Sequence, residues 1–202
     1  FASFTWPKGG GDAVHFVAAF YSLVPFLLAV GFLVALLWTR GTREILCWCM
    51  LLIQSFFIWL LKLICNQPRP EGSCLRSCGM PSGHTLGSIA FLSWFALEVC
   101  RPGNPTWRQA GWLALSGLLL LPVGWSRTVF HDHSWLQVGI GAAVGCILGT
   151  VWYWLLQQRC TYWLMKALCA NISLLSPNYR CRAVREEPAW APGQAASLQP
   201  RT

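Results

Sequence analysis

Residues 45–70 read ILCWCMLLIQSFFIWLLKLICNQPRP, and this stretch decides the fold class of the chain. Residues 45–64 form an apolar run of about 20 residues, the length at which an α-helix crosses a hydrocarbon core of about 30 Å. Lys62 lies near the end of the run, and Pro68 and Pro70 stop the helix on either side of Arg69. The stretch therefore predicts a membrane helix that ends beside two fixed cations.

The composition of the whole chain indicates the same class. Of its 202 residues, 55% are hydrophobic and only 11% are charged, whereas charged residues make up about 25% of an average soluble domain. Long apolar runs alternate with short charged or Pro/Gly-rich pieces, and the length suits one domain. We therefore predict an all-α fold, a polytopic membrane helical bundle.

Five apolar runs are long enough to be considered as spans. The predicted spans cover residues 14–38, 45–64, 84–99, 111–125 and 135–156. The fourth is short, so we expect it to extend into its flanks. Residues 162–175 are less apolar and predict an interfacial helix, with a sixth span as the alternative. The membrane domain thus covers residues 1–185, and residues 186–202 predict a disordered tail.

Basic residues indicate the orientation of the bundle. With five spans, the loops after the second and the fourth lie on the same side of the membrane, and both carry polar motifs. Ten of the 15 Lys and Arg residues fall on the opposite side: Arg40, Arg43, Arg101, Arg108, Arg159, Lys166, Arg180, Arg182, Arg185 and Arg201. Because basic loops concentrate on the cytosolic side, the face with the motifs is expected to be extracytosolic or luminal. The net charge of +8 then reflects topology and phosphate binding and does not indicate nucleic-acid binding.

Lys62 and Arg69 form the first polar group. The flanking prolines hold the chain extended, so the guanidinium of Arg69 is aimed in one direction. A planar guanidinium and a compact ammonium that converge on one spot suit a tetrahedral phosphate. The alternative is that both side chains only reach toward lipid headgroups, as basic residues do in many membrane proteins.

The second polar group lies where a loop becomes the third span. Residues 80–84 read MPSGH, and Pro and Ser are residues that start helices. The N–H groups of a helix N-terminus can bind an anion beside Ser82, Gly83 permits a close approach, and His84 could protonate a leaving oxygen. The alternative is an ordinary helix start followed by an interfacial histidine.

The third group contains Arg127, His133 and Gln137. Residues 133 and 137 are four apart and share one helix face, so Gln137 can accept a hydrogen bond from the imidazole of His133. That bond fixes the tautomer and leaves the other ring nitrogen free to attack. Asp132 is interpreted as the N-cap of the fifth span and His131 as an interfacial loop residue.

Together the three groups resemble the tripartite signature of the type 2 phosphatidic acid phosphatase superfamily. The resemblance rests on Lys62-x6-Arg69-Pro70, Pro81-Ser82-Gly83-His84 and Ser126-Arg127-x5-His133. It implies a phosphatidic acid phosphatase type 2/haloperoxidase-like helical core and hydrolysis through a phosphohistidine, without a metal or another cofactor. By this likeness His133 is the nucleophile and His84 the general acid. The phosphate-binding residues that it implies are Lys62, Arg69, Ser82, Gly83 and Arg127.

Gln137 departs from the superfamily pattern, which usually has Asp at this position. An amide orients His133 but cannot stabilise the imidazolium by charge, and the equivalent exchange in a serine-protease triad lowers kcat by about 10⁴. A diphosphate offers a phosphate leaving group, which departs more readily than an alkoxide. We therefore hypothesise a lipid diphosphate substrate.

The chain is most similar to the dolichyldiphosphatase branch of this superfamily. The similar segments are 4–7 (FTWP), 11–12 (GD), 59–62 (WLLK), 67–70 (QPRP) and 133–137 (HSWLQ). Gly83 departs, since that branch tends to carry Ser there. The resemblance implies cleavage of dolichyl diphosphate to dolichyl phosphate and phosphate on the luminal face of the endoplasmic reticulum, which recycles the carrier lipid of N-glycosylation. Two alternatives stay open: a broad phosphatase of lipid monoesters such as phosphatidate, and a non-catalytic membrane protein that binds lipid phosphates.

Cysteines and glycines complete the sequence-based expectations. Of ten cysteines, only Cys74 and Cys78 share a polar loop, where they could pair in an oxidising compartment. A zinc site there would need two further ligands, so no metal site is predicted. The four glycines of the fifth span, Gly139, Gly141, Gly145 and Gly149, predict close helix packing, with a homodimer through that face as an alternative use.

Overall fold

Seven helices make up the part of the chain that the computed structural model describes, namely residues 12–172 without 72, 74, 76 and 104. They are α1 (Ala13–Thr39), α2 (Thr42–Cys65), α3 (Gly83–Val99), α4 (Thr106–Leu120), α5 (Pro122–Val129), α6 (Trp135–Leu156) and α7 (Arg159–Asn171). No strand occurs within these described residues. The segments at 4–7, 173–185 and 186–202 and the residue Cys74 lie outside them.

Within the described part of the chain, four helical segments are long and apolar enough to cross a membrane: Ala13–Thr39, Thr42–Cys65, Thr106–Val129 and Trp135–Leu156. Large apolar side chains cover their outer surfaces, as suits helices that face lipid. The chain is therefore an all-α polytopic membrane helical bundle, which confirms the predicted fold class.

The helix bounds lie within five residues of the predicted spans where the structure describes them, and α2 begins three residues earlier than predicted. The span predicted at 111–125 is part of the longer Thr106–Val129 segment, which extends it on both sides. The interfacial helix predicted at 162–175 corresponds to α7, which begins three residues earlier. With 17 residues, α3 is shorter than the four segments above, and its crossing of the membrane stays a prediction.

The central contact of the bundle is between α3 and α6, and glycines on α6 permit it. Gly141, Gly145 and Gly149 are four residues apart and therefore share one helix face. A Cβ atom built on Gly145 would lie 2.5 Å from the carbonyl oxygen of Leu86, which no real side chain tolerates. A Cβ atom on Gly139 would meet only open space. Gly139 therefore takes no part in this contact, although the sequence predicts close packing at all four glycines. The two backbones thus meet directly at the three other glycines.

Substitution of Gly145 by Ala should destabilise the bundle. The added methyl would meet the backbone of α3, which cannot move as a flexible side chain can, and overpacking of this kind costs about 1–3 kcal/mol. We expect a lower unfolding temperature for the full chain in detergent micelles. Gly139→Ala is the matched control, because it adds the same methyl to the same helix in open space. Equal unfolding temperatures for the two variants would contradict this account of the contact.

Candidate active site

A tight loop between α5 and α6 presents His133. The carbonyl oxygen of Arg127 accepts hydrogen bonds from the backbone N–H groups of Asp132 at 3.1 Å and His133 at 3.2 Å. His131 adopts a left-handed conformation with φ 53°, which lets the chain reverse here. The N-cap of α6 is Ser134, whose side chain accepts from the N–H of Gln137, so the assignment of Asp132 as the N-cap is wrong.

The side-chain amide of Gln137 fixes the tautomer of His133. Its Nε2 donates to the carbonyl oxygen of Pro68 at 2.9 Å, while its Oε1 accepts from the N–H of Ser134 at 3.3 Å. A carbonyl only accepts and a backbone N–H only donates, so these two partners settle which end of the amide is which. Oε1 lies 3.2 Å from Nδ1 of His133, and Nδ1 must therefore carry the proton. The other ring nitrogen, Nε2, is therefore unprotonated and carries the lone pair.

Arg69 lies against that lone pair. One terminal nitrogen of its guanidinium is 3.3 Å from Nε2 of His133 and donates to the carbonyl oxygen of Asp132 at 2.8 Å. Its Nε and its other terminal nitrogen donate to the backbone oxygen and the hydroxyl of Ser77, at 2.8 and 2.9 Å. The guanidinium is thus held at four points, beside the nitrogen that would attack.

The last turn of α2 brings Lys62 to the same region. Asn66 ends the helix in a left-handed conformation with φ 39°, and the ammonium of Lys62 then donates to the carbonyl oxygen of Cys78 at 2.6 Å. The N–H of Gly79 donates to the carbonyl oxygen of Gln67 at 2.8 Å and closes the loop. A polar crevice of about 450 Å³ beside Arg69 opens along this loop.

The start of α3 completes the site. The backbone N–H of Ser82 donates to the carbonyl oxygen of Gln137 at 3.1 Å, which places this helix start beside the start of α6. Leu86 N–H makes the first helical bond, to Ser82, so the N–H groups of the three residues before Leu86 point out of the helix end. His84 lies within this turn, and its ring packs edge-on against Phe26 with 5.5 Å between the ring centroids. Its buried Nε2 has no hydrogen-bond partner among the described residues.

Arg127 is fully buried and bound to a carboxylate. A terminal nitrogen of its guanidinium lies 2.6 Å from Oδ2 of Asp132, and neither side chain is exposed. The other terminal nitrogen donates to the hydroxyl of Ser22 on α1 at 3.3 Å. Its Nε has no partner within the described part of the chain, so this cation keeps one donor for a ligand.

The electrostatic surroundings keep His133 neutral. Burial lowers the pKa of its imidazole from 6.5 to about 3, and the positive charges of Arg69, Arg127 and Lys62 act in the same direction. The hydrogen bond to Gln137 opposes this shift without cancelling it. A neutral imidazole whose unprotonated Nε2 lies beside Arg69, among three cations, can attack the electrophilic atom of an anionic group, such as the phosphorus of a phosphate.

Three contributors to this site escape the motif-based reading of the sequence. Gln67 accepts from the amide of Gln137 at 3.2 Å, and a Cβ atom on Gly79 would collide with that same amide. Asp132 supplies the buried counterion of Arg127. None of these three contributions has a local sequence signal. The cap of α6 does have one, since Ser134 and Gln137 form the S-x-x-Q pattern of a capping box.

Comparisons with known proteins agree with the geometry. The sequence pattern of the PAP2 superfamily matches residues 44–160. Lipid phosphate phosphatase gamma of Arabidopsis thaliana is 31% identical over 157 residues, which are 73% of this chain and 69% of that protein. Dolichyldiphosphatase 1 of Mus musculus is 27% identical over 163 residues, 75% of this chain and 68% of the relative. Dolichyldiphosphatase of Saccharomyces cerevisiae is 25% identical over 186 residues, which are 83% of this chain and 76% of that protein. No solved structure gives a significant match.

The depressed pKa of His133 predicts a pH-dependent stability. An unfolded chain takes up a proton on this histidine as the pH falls below about 6.5, whereas the folded chain stays neutral there until about pH 3. The free energy of unfolding should therefore fall as the pH decreases through this window. The side chain of the variant His133→Asn cannot ionise, so this variant should lose less stability than wild type between pH 7 and pH 4, measured as unfolding temperature in detergent.

His131→Asn, at an exposed position that tolerates Asn in its left-handed conformation, is the control. Equal pH dependence in wild type and His133→Asn would contradict the buried neutral state.

Proposed function

The chain belongs to the PAP2 superfamily, and from this membership we propose that it cleaves an isoprenoid lipid diphosphate, dolichyl diphosphate, to dolichyl phosphate and inorganic phosphate. As a member it is a hydrolase of phosphate esters or anhydrides. The observation that carries the proposal is the fixed tautomer of His133, whose Nε2 lone pair is directed at the cation Arg69. A phosphoryl group bound by Arg69 would lie against this nitrogen.

The first chemical step forms a phosphohistidine. Nε2 of His133 attacks the terminal phosphorus, the bond between that phosphorus and the bridging oxygen breaks, and the lipid monophosphate leaves. The proton on Nδ1 stays with the imidazole, where Oε1 of Gln137 accepts its hydrogen bond. Lys62, Arg69, Arg127 and the N–H groups beside Ser82 and Gly83 neutralise the charge of the transferred group. His84 in its protonated form is proposed to protonate the leaving oxygen, and it becomes neutral in this step.

The second step releases phosphate. Water attacks the phosphorus of the phosphohistidine, its proton passes to His84, and the bond between nitrogen and phosphorus breaks. His133 returns to the neutral state that its surroundings favour, with the proton on Nδ1. Every group in this cycle is a side chain or backbone group of the chain itself, together with substrate and water.

The amide at position 137 supports an anhydride substrate. A carboxylate there would stabilise the imidazolium that develops as His133 is phosphorylated, whereas the amide only orients the ring. A lipid monophosphate is a good leaving group, so less stabilisation is needed than for an alkoxide. The dolichyldiphosphatase names of two relatives agree with this choice of substrate.

We place the active site on the luminal face of the endoplasmic reticulum membrane, where it would recycle the carrier lipid of N-glycosylation. The motif loops follow α2 and α5 and meet at one end of the bundle. The opposite end carries basic residues at the helix junctions, among them Arg40, Arg43, Arg101 and Arg159. Basic loops favour the cytosolic side, which leaves the motif end for the lumen.

A second candidate is a broad lipid phosphate phosphatase that accepts monoesters such as phosphatidate. The specific observation in its favour is the 31% identity to lipid phosphate phosphatase gamma. The groups that bind the terminal phosphate would serve a monoester as well as a diphosphate, and the two candidates differ in the leaving group.

A substrate comparison separates these candidates. For the purified full chain in detergent with EDTA present, we expect kcat/KM for dolichyl diphosphate to exceed that for phosphatidate by at least about tenfold, a difference of about 1.4 kcal/mol in transition-state stabilisation. Released phosphate is the measured quantity. Comparable values would favour the broad phosphatase, and loss of activity with EDTA would exclude the metal-free reaction.

His133→Ala should be inactive, and any surviving activity would contradict the phosphohistidine.

Gln137→Glu tests the amide directly. The variant keeps the length of the side chain but removes the donor that now binds the carbonyl oxygen of Pro68 and Oε1 of Gln67, and so loosens the orientation of His133. Loss of one buried hydrogen bond costs about 1–3 kcal/mol, and we expect kcat to fall about tenfold. Gln158→Glu makes the same chemical change at an exposed position beyond the opposite end of α6 and should leave kcat unchanged. A Gln137→Glu variant faster than wild type would show that charge at this position matters more than the donor.

A further inference from the structure

Asp132 contacts both arginines of the site, through two different groups. Its carboxylate binds the buried guanidinium of Arg127 at 2.6 Å, and its backbone carbonyl oxygen accepts from Arg69 at 2.8 Å. The hydroxyl of Ser73, in the loop after α2, reaches the second carboxylate oxygen at 3.5 Å. Asp132 also directly precedes His133 in the chain. One residue therefore sets the positions of both guanidinium groups relative to the nucleophile.

The charges of the site show what this carboxylate does. Lys62, Arg69 and Arg127 contribute three positive charges, and Asp132 contributes one negative charge, so the difference is two. The terminal group of a lipid diphosphate or a phosphate ion carries about two negative charges near neutral pH, so the occupied site would be close to neutral. A buried cation without a counterion is costly, so Arg127 needs Asp132 most when no phosphate is bound.

We propose that Asp132 is a positioning residue that acts as the internal counterion of the phosphate site, holding Arg127 in place and moderating the affinity for phosphate. The inference rests on the proposed function only in taking phosphate as the ligand. It differs from the role of an N-cap, which needs no contact with either arginine. It differs also from the role of a proton donor, because the carboxylate faces Arg127 and the proposed acid is His84.

Asp132→Asn removes the charge and keeps the shape. Without phosphate, the variant should unfold at a lower temperature than wild type, because Arg127 loses its counterion. Added inorganic phosphate should restore stability, and the rise in unfolding temperature should be larger than in wild type, because the ligand takes over the role of the carboxylate. The inhibition constant for phosphate and KM should both fall about tenfold, since one repelling charge is gone. We expect kcat to fall as well, because Arg127 is less well oriented.

Two further variants separate charge from shape and from general damage. Asp132→Glu keeps the charge, so its affinity for phosphate should stay within about twofold of wild type although kcat falls. Glu98→Gln breaks another arginine–carboxylate pair, with Arg101 at 2.7 Å, at the far end of α3. It should show only the wild-type response to phosphate.

The result that overturns the inference is an Asp132→Asn variant whose gain in unfolding temperature with phosphate is no larger than that of wild type. Failure to recover this variant folded even in phosphate buffer counts in the same direction, since bound phosphate should replace the carboxylate. The stability measurements need no turnover. A wild-type protein that binds phosphate but cleaves no lipid diphosphate would therefore refute the proposed function without touching the role of Asp132.

Discussion

The direct backbone contact between α3 and α6 is the constraint on which the rest of the site depends. A Cβ atom on Gly141 would lie 2.8 Å from the carbonyl oxygen of Ser82, so only glycine allows α6 to approach the start of α3. That approach permits the bond from Ser82 N–H to the carbonyl oxygen of Gln137. Helix axes normally lie about 8–10 Å apart, with side chains between them. At such a spacing the turns that carry His84 and His133 could not share a backbone hydrogen bond.

Polar groups at the edge of a hydrocarbon layer must be satisfied within the protein, and this requirement explains the amide at position 137. Four acceptors and donors surround the amide of Gln137 in fixed places: the carbonyl oxygen of Pro68, Oε1 of Gln67, the N–H of Ser134 and Nδ1 of His133. An amide serves all of them with one orientation. An ionised carboxylate would face the Pro68 oxygen without a proton to share. The amide forgoes the charge stabilisation that a carboxylate would give a protonated imidazole, and it links the loop with Arg69 rigidly to His133.

The helices and the motif residues could be predicted because their signals are local. An apolar run of sufficient length indicates a span wherever it occurs, and the spacing of His133 and Gln137 places both on one helix face. The bond between Gln67 and Gln137 could not be predicted, because it joins residues 70 positions apart through a loop without regular structure. Asp132 was misassigned for a related reason. Its position before a helix favours capping, but the left-handed conformation of His131 turns its carboxylate back onto Arg127. The S-x-x-Q capping box of Ser134 was the stronger local signal.

A reaction that passes through a phosphohistidine must finally release inorganic phosphate, and this step limits how positive the site can be. Lys62, Arg69 and Arg127 without compensation would bind a phosphate dianion tightly in surroundings of low dielectric, where each charge counts for more than in water. Tight binding of the product and of the ground state does not lower the barrier to the chemical step. In the proposed role of Asp132, its buried carboxylate on Arg127 would weaken the binding of the product while keeping the guanidinium in position. In this proposal the cations are held in place but attract phosphate less strongly than three uncompensated charges would. Such an arrangement suits a site that must release phosphate after every turnover.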